Sequence, residues 1–86
     1  MPEISRFFGI VITMYFNDHD PPHFHVKYGH HRAIVAIDSL RINRGELPAR
    51  VLGLVIEWAQ IHQAELRENW TLLQTAGTFK RIPPLE

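Results

Sequence analysis

Apolar and polar positions along the 86-residue chain follow two different periods, and the change between them divides the molecule into a front and a back half. In the front half the apolar runs are short and rich in β-branched and aromatic residues. FFGIVITMYF, from Phe7 to Phe16, is about half as long as a membrane-spanning helix and predicts a strand. His23 to Tyr28 alternates, with Phe24, Val26 and Tyr28 on one side and His23, His25 and Lys27 on the other, which predicts a half-buried strand. Between these two runs lies NDHDPP, where Asn17, Asp18 and Asp20 favour a turn and Pro21 and Pro22 fix φ. Gly29 opens the next turn, Ala33 to Ile37 predicts a third strand, and Leu40 to Ile42 a short fourth.

In the back half Val51, Val55, Trp58, His62, Leu66, Trp70 and Leu73 recur at steps of three and four, the stripe of a helix running from Pro48 to Thr75. Pro48 suits the first helical position, Glu46 lies where a negative charge complements the helix dipole, and Gly77 suits the stop. At 1.5 Å per residue such a helix is about 42 Å long, so the expectation is one long helix, or a kink or break near Gln63. The last residues, 79–86, contain Lys80, Arg81, Pro83 and Pro84 and read as an extended tail. The expected architecture is therefore a single α+β domain over residues 1–86. A small antiparallel sheet of three or four strands, about 7–43, packs on one long or kinked C-terminal helix, about 48–75.

Charge and composition narrow the chemistry. Nine Lys plus Arg balance nine Asp plus Glu, so strong nonspecific binding to nucleic acid or membrane, which rests on a basic excess, is not expected. There is no Cys, which excludes disulfides, thiolate zinc sites, thiol nucleophiles and iron–sulfur clusters. No cofactor is implied, and a divalent metal, if held, would need His and carboxylate ligands. MPEISR is a poor start for a signal peptide, so a cytoplasmic protein without a membrane partner is expected.

The unusual chemistry lies in NDHDPPHFHVKYGHH, which holds five of the six histidines. Three readings fit it. In the first, His23 and His25 leave one strand in the same direction and bind a metal, with His19, Asp18 or Asp20 as a further ligand. In the second, His23 and His25 act as acid and base while Lys27 stabilises negative charge, the three functions that metal-free RNA cleavage requires, with Tyr15 joining from the first strand. In the third, these residues are the solvated side of an amphipathic strand. His30, His31 and Arg32, with Lys27, Arg41 and Arg44, make a candidate phosphate patch. His62, Trp58 and Trp70 sit on the helical stripe and read as core or boundary residues.

PEISRFFGIVITMYFNDHDPPHFHVKYG, GELPARVLGLVIEWAQIHQAELRENW and KRIPPL together resemble a small bacterial family, the domain of unknown function numbered four-one-six-zero. The resemblance spans nearly the whole chain. It implies one half of a two-gene, toxin–antitoxin-like unit, and hence a protein-interaction module with a small partner from a neighbouring gene or a second copy of itself. The positions it carries over are His19, Pro22, His23, His25 and Trp70, with no roles attached.

Overall fold

A computed structural model describes residues 2–86. The chain runs β1 (Glu3–Phe7), β2 (Ile10–Thr13), β3 (His23–Tyr28), β4 (His31–Ala36), β5 (Ile42–Gly45), α1 (Ala49–Ile61) and α2 (Gln63–Thr75). The five strands form one antiparallel sheet in the order β1-β2-β3-β4-β5, each pairing with its neighbour in sequence. The α+β class holds, but the sheet has five strands rather than three or four.

The extra strand comes from the Phe7–Phe16 run, which is not one strand. Phe8 and Gly9 form a two-residue turn, with φ of 50° and 77°. Two positive φ values in succession match the right-handed twist of the flanking strands, so the chain reverses there and pairs Phe7 with Ile10. Phe8 is 61% exposed, so an aromatic at the turn tip disguised the reversal as a continuous apolar run. The last strand also starts later than Leu40, because Leu40 adopts φ 57° and cannot continue a ladder. Gly45, with φ 81°, closes it: a Cβ there would sit 2.1 Å from the Arg32 carbonyl oxygen.

The helical stripe is real but bent. Pro48 precedes the helix as its cap, with ψ of 144°, instead of occupying the first helical turn. His62, with φ −111° and ψ 23°, separates α1 from α2 one residue before the expected kink. Contacts to the residues just after β4 hold the bend. The Gln63 side chain donates to the Ile37 carbonyl at 2.7 Å and to that of Asp38 at 3.2 Å, while Arg67 pairs with Asp38 at 3.0 Å. The start of α2 is thereby tied to the turn after β4.

One face of the sheet gives Ile4, Ile10, Ile12, Phe24, Val26 and Val35 to the core, where they meet Val51, Val55, Trp58, Leu66 and Leu73 from the helices. Trp58 is fully buried between Phe7, at 5.4 Å, and Phe24, at 6.0 Å, and its indole N–H donates to the Pro83 carbonyl at 2.9 Å. The extended tail is thus part of the core. Ile82 is buried and its N–H donates to the Ile4 carbonyl at 2.9 Å. Asn69, buried on α2, donates to the Lys80 carbonyl at 2.7 Å and accepts from the Lys80 N–H at 2.8 Å. Among the described residues no helix is long and apolar enough to cross a membrane.

Removing the Asn69 side chain leaves both Lys80 backbone groups without their partner. Asn69→Ala is expected to cost about 2 to 3 kcal/mol, read as a lower urea midpoint. A loss under about 0.5 kcal/mol would mean that the tail is not held at this point.

Candidate metal centre

Three side chains from two segments converge at the start of β3. Asp18 sits in the loop between β2 and β3, and His23 and His25 lie two residues apart on the strand. Alternation along β3 sends Phe24 and Val26 into the core, both essentially inaccessible to solvent, and leaves His25 and Lys27 on the opposite face. The loop folds back so that Asp18 Oδ2 lies 2.8 Å from His23 Nε2 and 3.6 Å from His25 Nε2. One atom from each residue, two imidazole nitrogens and a carboxylate oxygen, falls within 4.8 Å of the others.

The hydrogen bonds fix what these atoms are. His23 Nδ1 lies 2.7 Å from the Pro21 carbonyl oxygen, which only accepts, so Nδ1 carries the proton and donates. In a neutral His23 the Nε2 lone pair then faces a carboxylate oxygen at 2.8 Å. Two electron-rich atoms at that separation need a positive charge between them, a second proton or a metal ion. His25 Nε2 is buried and has no hydrogen-bond partner, because 3.6 Å to Asp18 is too long for one. Around an ion with bonds of about 2.0 to 2.1 Å, tetrahedral ligand atoms stand about 3.3 Å apart, and octahedral neighbours about 3 Å. The observed separations of 2.8 and 3.6 Å bracket those values. The triad is capable in principle of coordinating a divalent metal.

The surroundings favour the ligand forms. Burial pushes the Asp18 carboxyl up, but the His19 backbone N–H and the neighbouring imidazoles outweigh it and hold the group below the usual carboxylate value. Burial, reinforced by the neighbouring His23, holds His25 below the ordinary imidazole value against the pull of Asp18. A carboxylate and a neutral imidazole are the donors that metals accept. His23 is 7% exposed, and the Trp70 indole rests against it with ring centroids 5.2 Å apart. Tyr15 packs edge-on against His25 at 4.4 Å.

The other expected site residues fall into three groups. His19 stands outside the triad, its side chain 91% exposed and its Nδ1 3.3 Å from the other Asp18 oxygen. Lys27 and Arg32 are cross-strand partners on the open face of the sheet, away from the helices, where Arg44 joins them. Arg41, His30 and His31 do not line that face, and the two imidazoles stack on each other at 4.5 Å where β3 turns into β4. Arg6 does line it and was not anticipated, because the first strand was expected to begin at Phe7. A register shift between Glu3 and Ser5 breaks the period of two in β1, so that Ile4 and Phe7 are both buried while Arg6, opposite Val11, lies on the side of Lys27.

Fold and site together define an α+β domain with a two-histidine, one-carboxylate cluster at the entry to the central strand of its sheet. Residues 9–71, which include the whole cluster, match the family described as domain of unknown function (DUF4160), and the chain belongs to that family. No curated protein and no solved structure matches it.

The titration shifts set a sign that can be checked on metal-free protein. Both the Asp18 and His25 pKa values are lowered by folding, so their contributions to stability are complete above the unfolded values of about 3.9 and 6.5 and are lost as pH falls. Stability of the metal-free chain is expected to decline below about pH 6.5, and His25→Gln is expected to flatten that decline. Unfolding midpoints for both proteins between pH 5 and 8 provide the measurement, and parallel curves would refute the assignment.

Proposed function

We propose that the protein binds a divalent transition metal through Asp18, His23 and His25. The observation that carries this reading is the buried His25 Nε2, which has no hydrogen-bond partner and points at the same carboxylate oxygen as His23 Nε2. A metal-free acid–base pair leaves that nitrogen unexplained, because 3.6 Å is too long for a hydrogen bond to Asp18 and no other polar group partners it. The Pro21 carbonyl behind His23 Nδ1 is the kind of outer partner that fixes the tautomer of a metal-bound imidazole.

Three protein ligands with further positions open are typical of sites that work on a substrate, and mixed nitrogen and oxygen donors suit Zn, Fe, Mn or Ni better than Ca or Mg. A metal held here supplies a Lewis acid and lowers the pKa of a bound water. Asp18 and the two histidines orient it, while Trp70 covers His23 and keeps bulk water off that ring. The metal reading explains the geometry of the cluster better than a role confined to protein–protein contact.

Protein purified without a polyhistidine tag and titrated with Zn(II) and Mn(II) tests the reading. One equivalent is expected to bind. Asp18→Ala and His25→Ala are expected to weaken binding at least 100-fold, whereas His19→Ala changes it less than about 3-fold. At a free metal concentration of 100 times Kd, linkage stabilises the fold by about 2.7 kcal/mol, which raises Tm by roughly 10 °C or more in a chain of this size. Absence of both binding and a Tm shift would overturn the proposal.

A further inference from the structure

The face of the sheet turned away from the helices is a groove of about 500 Å³, and its register sorts charge in a way that net neutrality conceals. Arg6 pairs with Val11, Val11 with Lys27, and Lys27 with Arg32, forming one row across four strands. The next row on the same face runs Glu3, Thr13, His25, Ile34, Arg44. Residues opposite one another in a ladder project from the same side, so Arg6, Lys27, Arg32 and Arg44 share one surface. Their exposed side chains stand over a floor that includes the half-buried Val11 and Ile34.

The acids do not match them. Among the described residues Glu3 is the one carboxylate lining the groove, at its β1 end, where it pairs with Arg6 at 2.7 Å and Arg81 at 3.0 Å. Among the described residues no carboxylate pairs with Lys27, Arg32 or Arg44. Lys27 and Arg32 face each other directly, a like-charge pair that works against the sheet. An anion from outside relieves that repulsion. His25, in the row that Glu3 heads, and Tyr15 also line the groove, and His25 is part of the cluster with Asp18 and His23, so groove and cluster are continuous.

We propose that this groove binds a single-stranded polynucleotide. Its phosphates would lie over Lys27, Arg32 and Arg44 and its backbone would lead to the Asp18–His23–His25 cluster. A peptide adding as a strand needs a free edge, but the backbone of this face is committed to the ladder, leaving cations, an apolar floor and one aromatic ring. Those suit phosphate, sugar and a stacked base. The volume accommodates about one or two nucleotides at a time and is too small for a duplex. Binding stands on the groove alone. Only the statement that the strand is delivered to a metal rests on the function proposed above.

Anisotropy of labelled 10-nucleotide RNA and DNA, measured in EDTA, tests binding without metal. Salt-dependent binding of either strand is expected, and a tenfold gap between the two would identify the preferred sugar. Lys27→Glu and Arg44→Glu are each expected to weaken it at least 10-fold, whereas Arg50→Glu, on α1, leaves it within 2-fold. The triple change to Ala at Lys27, Arg32 and Arg44 is expected to reduce the slope of log K against log salt by about 2. No binding at low salt, equal binding of duplex, equal competition by polyglutamate, or indifference to the charge reversals would each overturn the groove.

Addition of Mn(II) then separates the two readings. A Mn(II)-dependent change in affinity that Asp18→Asn abolishes supports delivery to the metal. If Mn(II) binds the protein but leaves oligonucleotide affinity unchanged, delivery is refuted while both the groove and the metal site stand. Failure of Mn(II) and Zn(II) to bind refutes the metal and leaves the groove.

Discussion

The side-chain alternation of one six-residue strand governs both sides of this molecule. β3 lies in the middle of the sheet, paired with β2 on one side and β4 on the other, so its register is locked from both directions. Burial of Phe24 and Val26 under α1 fixes which way the strand faces. A slip of one residue would put both in water and bring His25 and Lys27 beneath the helices, a cost of several kcal/mol in lost apolar burial alone. The energy that holds the core in place therefore also holds the imidazole of His25 and the ammonium of Lys27 on the open face.

The rest of the architecture serves to keep that sheet closed on one side only. The helices bend at His62 and stay over the core face, tied down through Gln63 and Arg67 to the end of β4. The tail completes the same layer by packing Ile82 beside β1 and giving the Trp58 indole its acceptor. A chain this short buries a limited share of its surface, so a terminal segment that supplies both an apolar side chain and hydrogen bonds to buried groups counts heavily. Among the described residues no helix or strand crosses to the other face. What remains there is a concave surface carrying most of the unpaired positive charge of the sheet.

Formal neutrality hid this arrangement. The nine acids and nine bases balance in the sum, but several acids are used locally: Glu3 by two arginines, Asp38 by Arg67, Glu65 by His62 and Glu68 by Lys80. Asp18 is drawn into the histidine cluster. Lys27, Arg32 and Arg44 are left clustered, and a net charge of zero says nothing about a field that is separated in space.

The amino-acid sequence determined the elements whose signal is local. The period of two over His23–Tyr28 and the three-and-four stripe from Val51 to Leu73 each reflect which neighbouring side chains must share a face, and both appear in the fold. The same reasoning missed the reversal at Phe8, because a positive φ at an aromatic residue is imposed by strand pairing and not by its own preference. It located the histidine segment but left open whether His19, Asp18 or Asp20 accompanied the strand histidines. The helix break at His62 falls one residue from the position expected near Gln63. Tertiary structure alone brought Asp18 within reach of both rings and aligned Arg6 with Lys27 across an intervening strand. Those arrangements depend on loop closure and cross-strand register, where residues distant in sequence are placed by the burial of others, and no local pattern records the outcome.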